Sequence, residues 1–292
     1  MAKIKVGNTV TTLDDLLFPV EMIDNPNLTN SEYAKVIIGH TERGTMDLNY
    51  CSKTYGFVPN ENIFPKIEET LNDHGIKFES KYTHVKDVRF YGDYRINDAN
   101  YTYRINGTSD EIFPMIRVQH SYNGMTKYRI MLGYFRLVCA NGLVIAVQEM
   151  KDFNLQIVGK HTVEAIKRSL VEFDGMLERF CNEAPTITKA ITSKYEKLAS
   201  SKLTVDLEDR ITEVLEASKI TAVDNAKFNT VNTIVNQINL EMDKNLGYTE
   251  INDWLVYNGI NWYLNEGSRN TELPEKRIET DSRVLEYLLE TV

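Results

Sequence analysis

Residues 133–146, GYFRLVCANGLVIA, set one arginine, Arg136, and one thiol, Cys139, inside the most apolar run of the chain, ahead of the pair Asn141-Gly142. A thiol becomes a nucleophile where nearby cations or a helix N-terminus favour the thiolate, and apolar surroundings do the reverse. Cys139 lies between Leu137-Val138 and Ala140, so a buried structural thiol is expected there. Arg136 must either pair with a carboxylate or carbonyls, if buried, or stand on a basic face. The cysteines Cys51, Cys139 and Cys181 lack CxxC spacing, and the histidines His40, His74, His84, His120 and His161 lack HxxxH or HExxH spacing. Neither a disulfide framework nor a zinc site is supported, and no metal and no cofactor are expected. There is no GxGxxG, GxxxxGK[ST] or GxSxG, which lowers the case for nucleotide hydrolases and nucleophile-elbow esterases. Asp93, Asp98, Asp110 and Glu111 could supply carboxylates for metal-dependent phosphodiester chemistry. Their loop-rich spacing is commoner in solvated turns, and no catalytic residue is assigned.

Charge and aromatic content point to different chemistry. Between Ile76 and Arg136, ten basic residues stand against six acidic ones, a local +4 in a chain of net charge −9 that leaves −13 on the remainder. Twelve Tyr or Phe residues are interleaved with them. Cations track phosphates while aromatic faces stack on bases of any sequence. The candidate nucleic-acid-binding residues are therefore Lys86, Arg89, Tyr91, Arg95, Arg104, Arg117, Lys127, Arg129 and Arg136. The opposing interpretation is a solvated sheet face whose tyrosines are simply good strand formers.

The elements that would position these residues follow from periodicity. In NENIFPKIEETLNDHG, Ile63, Ile67 and Leu71 recur at helical spacing, with Pro65 in or near the first turn and Gly75 at the left-handed C-cap position. From Ile76 to Ala146 the pattern becomes short segments rich in Tyr, Phe, Val, Ile and Thr, broken by Gly92, Asn106-Gly107, Asn123-Gly124 and Asn141-Gly142. That is an antiparallel meander. In MIRVQHSYNGMTKYRIML a two-residue loop would mix apolar and polar faces, so an odd loop with Gly124 left-handed is expected, bringing Arg117, Gln119, Lys127 and Arg129 to one face. LVCA-NG-LVIA is apolar on both faces of any hairpin it forms. After Met150 the chain turns helical: a stripe from Val163 to Phe180 behind the N-cap candidate Thr162, then VDLEDRITEVLEAS, FNTVNTIVNQINLEM and INDWLVYNGINWYLNEG. The fold class is α+β, a helix plus a curved antiparallel β-meander followed by an α-helical lobe. The expected divisions are an N-terminal extension (1–50), a helix-and-sheet core (51–150) and the helical lobe (151–292). No stretch approaches the roughly 20 apolar residues that span a bilayer, and no leader-like apolar segment opens the chain. A cytoplasmic protein without membrane contact is expected.

In that order the pieces resemble the phage/plasmid-like proteins catalogued as domain of unknown function 932. The resemblance is carried by KTYGFVPNENIFPKIEETL, with Asn60; by HSYNGMTKYRI; by FRLVCANGL, with Arg136, Cys139 and Asn141; by VGKHT, with His161; and by WLVYNGINWYLNEG, with Trp254 and Tyr257. These residues are the signature or structural candidates. The chain departs from the family pattern at Gly142, where Thr is more usual, and at Asn265, where His is frequent, which counts against catalysis at those positions. The resemblance implies residence on a phage, prophage or plasmid. A more distant likeness is to single-strand annealing proteins of the RecT and Redβ type, in which a helix precedes an antiparallel sheet and subunits form rings on DNA.

The leading expectation is therefore a phage- or plasmid-encoded protein that binds single-stranded DNA, extending to strand annealing, in recombination or replication. A homo-oligomer is expected, with the helical lobe serving assembly. The alternative is an interaction protein that inhibits a host defence or restriction protein, for which the acidic remainder could imitate DNA.

Overall fold

The computed structural model describes residues 9–28, 32–41, 44–85, 88–136, 155–220, 224–267 and 274–292. The expectations for Lys86, Cys139 and Asn141, and for the LVCANGLVIA hairpin, lie outside these residues. The class is α+β. The chain divides into two compact units that interleave along the sequence: residues 1–98, 115–132 and 154–182 form one, and 99–114, 133–153 and 183–292 the other.

The first unit is built on antiparallel strands. Its larger sheet runs in the order β1 (Thr9–Thr11), β5 (Phe78–Val85), β6 (Arg89–Ile96), β8 (Glu111–Ser121), β9 (Tyr128–Arg136), β10 (Gln156–Gly159). A smaller sheet, β2 (Val20–Asp24), β3 (Lys35–Thr41) and β4 (Gly44–Cys51), occupies most of the first fifty residues and follows a single helical turn, α1 (Leu13–Leu16). Helix α2 (Phe64–Asp73) buries Phe64, Ile67 and Leu71, and Pro65 sits in its first turn. Gly75 ends it at φ +68°, with Ile76 N–H donating to Leu71 O at 3.0 Å, the six-to-one bond of a Schellman cap.

Register explains which sheet face α2 covers. Tyr82 pairs with Gly92 and Gly92 with Val118, while Ser80, Tyr94 and Ile116 align one pair further on. Side chains two apart share a face, so Tyr82, Tyr94, Ile116 and Val118 lie together. Phe64 meets this face, its ring perpendicular to Tyr82 at 6.1 Å and its edge 3.0 Å from where a Cβ on Gly92 would stand. The loop between β8 and β9 carries Gly124 at φ +66°, the left-handed conformation expected of it.

The second unit is mainly helical. Strand β7 (Tyr103–Arg104) pairs with the first residues of β8. Helix α3 (Val163–Ala199) runs 37 residues and contains Pro185; its start is capped by Thr162 Oγ1, which accepts from Ala165 N–H at 3.2 Å. Pro185 cannot donate to the carbonyl one turn back, and the change of unit falls beside it. Within the second unit α3 buries Ile187, Ile191, Tyr195 and Leu198. It is joined there by α4 (Leu207–Ala217), α5 (Asp224–Met242), α6 (Asp253–Trp262) and α7 (Pro274–Thr291). The α5 stripe is as the spacing predicts, with Val231, Ile234 and Ile238 buried and Leu240 exposed. α6 is buried along nearly its whole length. No helix among the described residues is long and apolar enough to cross a membrane.

Candidate functional site

The expected basic, aromatic sheet face is only partly present. On the face opposite α2, Arg117 grips Asp93 with two nitrogens, Nη2 at 2.7 Å. Arg95 pairs with Glu79 at 3.3 Å, and Arg104 in the second unit with Glu111 at 2.9 Å. These three guanidiniums are already neutralised. Two residues leave the candidate set altogether. Tyr91 is 3 % exposed and offers no ring for a base, and Arg136 is wholly buried, so no phosphate reaches it. Arg89, Lys127 and Arg129 remain, and the register adds Lys160, which the meander boundary at Ala146 had hidden. Tyr128 pairs with Gly159 and Arg129 with Val158, so Lys127, Arg129 and Lys160 share one end of the sheet. Arg89 reaches the same hairpin, its Nη2 3.2 Å from Met125 Sδ. Among the described residues these four cations have no carboxylate partner.

Behind this hairpin, three of the segments that carry the family resemblance close on one another. Tyr55 hydroxyl donates to Tyr122 O at 2.9 Å, Asn60 N–H donates to Tyr122 hydroxyl at 3.0 Å, and Asn60 Nδ2 donates to Leu16 O at 2.9 Å. His120 Nε2 donates to Val58 O at 3.0 Å, and His161 Nε2 to Thr126 O at 2.7 Å. A carbonyl only accepts, so both imidazoles carry their proton on Nε2 and present a bare Nδ1. The two rings lie 5.4 Å apart, and Tyr55 stacks on His161 at 6.4 Å. Burial pushes His120 down to about 3, and His161 is also lowered, first by burial; both are neutral at pH 7. Gly56 makes the closure possible, because a Cβ there would stand 2.2 Å from His161 O and 2.4 Å from Thr162 Cα.

That contact is backbone and cannot swing aside. Gly56→Ala is expected to cost about 3 kcal/mol, the upper end of overpacking penalties. Gly175→Ala, in α3 with nothing within 4 Å, should instead gain about 0.5–1 kcal/mol through helix propensity. Urea denaturation of the two variants checks the pair, and equal midpoints would contradict it.

The second unit holds a different cluster. Arg136 donates from Nε and Nη2 to the two oxygens of Asp110 at 2.7 and 2.6 Å, and from Nη1 to Glu241. Asp110 Oδ2 also accepts from Trp254 Nε1 and Tyr248 hydroxyl, each at 2.8 Å, and Glu241 accepts from Gln237 Nε2 at 3.2 Å. The guanidinium stands 5.6 Å from the Trp254 ring centroid. Arg136, Asp110, Glu241 and Trp254 are all wholly buried. Beside them Tyr257 hydroxyl donates to Asp281 at 2.8 Å. Every member is held by protein groups, as a structural polar core must be. Arg136 thus takes the paired, buried alternative, and the carboxylate Asp110 is spent on it rather than on metal chemistry.

The family described as a domain of unknown function, DUF932, matches the chain over residues 47–286. The chain belongs to that family. No curated protein and no solved structure matches it. The DUF932 match begins within β4 and takes in the hairpin closure, the imidazole pair and the Arg136 cluster. Of the signature candidates in the described residues, Asn60 and His161 tie down the hairpin, while Trp254 and Tyr257 belong to the buried core of the helical unit. What the sequence hid is His120 meeting His161. The two are 41 residues apart, and only strand pairing brings them together.

Proposed function

We propose that the protein binds single-stranded DNA at the end of the large sheet where β8 turns into β9. The supporting observation is the group of four cations without carboxylate partners among the described residues, Arg89, Lys127, Arg129 and Lys160, beside the half-buried Tyr55–His161 stack. Cations there can follow a phosphate backbone, and the exposed Met125 and Val158 offer apolar contact to bases. The contact region is smaller than a whole sheet face, because Arg95, Arg104 and Arg117 are neutralised and Tyr91 is buried. The likeness to phage and plasmid proteins supports a role in recombination or replication, with annealing as the next step if subunits assemble on the strand.

A salt titration on an unstructured oligonucleotide tests this. Each phosphate contact removed should flatten the dependence of log K on log salt by about 0.7, so Lys127→Ala with Arg129→Ala should lower the slope by about 1.4. Lys189→Ala, at an exposed position of α3, should leave it unchanged. Tyr91→Ala should alter stability and leave the slope alone. Absence of binding at low salt, or an unchanged slope in the double variant, would move the host-protein reading to first place.

A further inference from the structure

We infer that His120 and His161 form a binding site for a divalent transition-metal ion of the zinc class, bound through their two Nδ1 atoms. A histidine that ligates a metal through one ring nitrogen characteristically donates the other N–H to a carbonyl or carboxylate, which fixes the tautomer and aims the lone pair. Both residues have that arrangement: Nε2–H is held by Val58 O and by Thr126 O. Both Nδ1 atoms are buried with no hydrogen-bond partner. Leaving a buried acceptor unpaired costs about 1–3 kcal/mol, and a bound ion would satisfy both atoms at once. The ring separation also fits. Two imidazoles bound at about 2.0–2.1 Å around a tetrahedral ion have centroids about 5 Å apart, against the observed 5.4 Å.

The neighbours supply hard and neutral oxygen. Thr126, whose carbonyl holds His161, has a buried hydroxyl without a partner, and so has Tyr128, whose ring lies 6.2 Å from His120. Among the described residues no third His, Cys, Asp or Glu joins the pair. The site therefore supplies two nitrogen ligands, with hydroxyl or water oxygen completing the shell, and its affinity falls well below that of a structural zinc site with four thiolate ligands. Neutral ligands bind the ion only while the imidazoles stay unprotonated, and the buried surroundings keep them so at pH 7. Metal binding here does not depend on DNA binding.

Cobalt(II) is the probe, because nitrogen ligation in a four-coordinate site gives visible absorption far more intense, and at longer wavelength, than the weak band of the hydrated ion. Titrating the full chain with cobalt(II) chloride at pH 7.5 should produce a saturable visible band displaced by zinc, and a rise in melting temperature. His161→Gln retains an amide N–H for Thr126 O while removing the Nδ1 ligand. It should fold with a melting temperature close to the parent's and bind cobalt at least tenfold more weakly, without the band. His120→Gln serves as the second variant with the same expected loss. If the parent shows no protein-dependent band, or His161→Gln responds as the parent does, the lone pairs are satisfied by water alone and the metal site does not exist.

Discussion

Arg136→Met is expected to destabilise the protein by about 3–5 kcal/mol, the range for removing one partner of a buried ion pair. The magnitude follows from what stays behind. Asp110 and Glu241 are both wholly buried, and without the guanidinium two carboxylates share a dry interior in which Trp254 and Tyr248 donate to Asp110 and Gln237 to Glu241, none of them a cation. Arg136→Lys keeps a charge and loses the two-pronged grip on Asp110, so an intermediate cost is expected. Arg117→Ala is the comparison. Its partner Asp93 is part-exposed and can return to water, so the cost should be about 1 kcal/mol. Guanidinium chloride denaturation of the three variants decides the matter. A variant Arg136→Met within about 1 kcal/mol of the parent would contradict the structural role. A stable, folded Arg136→Met that loses only DNA affinity would restore Arg136 to the basic face.

The order of magnitude also explains why a family signature and a functional site need not coincide. Arg136, Trp254 and the neighbouring Tyr257 are signature positions whose side chains are consumed by one another and by Asp110 and Asp281. Their residue types are set by hydrogen-bond geometry, since Met or Leu at any one of them strands the rest. Cations at the β8–β9 end follow a different rule: Lys127 and Lys160 are exposed, and their replacement leaves no buried group unpaired.

Local chemistry was legible in the sequence wherever it is decided within a few residues. The α2 boundaries, its Gly75 cap, the left-handed Gly124 and the α5 stripe all follow from neighbours in the chain. The three-stranded sheet in the first fifty residues was legible only in β4 (GTMDLNYC), where Met46, Leu48 and Tyr50 alternate with Asp47 and Asn49 at the period of a strand, although the expected N-terminal extension carried no sheet. The basic face failed for a related reason. Alternation tells which residues share a face, but pairing Asp93 with Arg117 and Glu79 with Arg95 is a matter of cross-strand register. The expected ten cations against six anions therefore overstated the free charge. Long separations hid the rest: Arg136 is 105 residues from Glu241, and no periodicity reports such a contact.

The remaining large effect is on pH. His120 is held neutral, its pKa down to about 3, whereas an unfolded histidine titrates near about 6.5. The unfolded chain therefore takes up the proton first. The stability this histidine contributes is complete above about pH 6.5 and is lost as pH falls from there towards about 3. His161 is shifted in the same direction and adds to the loss. Asp281 acts with the opposite sign. Burial raises it to about 7 against the partial relief of bonds from Asn261 and Tyr257, so the folded state keeps a protonated carboxyl where the unfolded state has released it. Its contribution is complete below about pH 4 and is lost as pH rises through about 7. Between about pH 4 and 6.5 the Asp281 effect opposes that of His120, which leaves His161 to set the direction of their combined contribution. Asp281→Asn isolates the Asp281 effect. The amide oxygen can accept from Asn261 and its NH2 can donate to the Tyr257 oxygen, while no charge appears at any pH. Stability measured by urea denaturation at pH 4 and pH 8 should then diverge between variant and parent. The variant's advantage should grow by about 4 kcal/mol from the lower pH to the higher, one factor of ten per pH unit over the displaced range. A difference that stays constant between pH 4 and 8 would mean that Asp281 is ionised in the folded protein and that its partners, rather than its burial, set its charge.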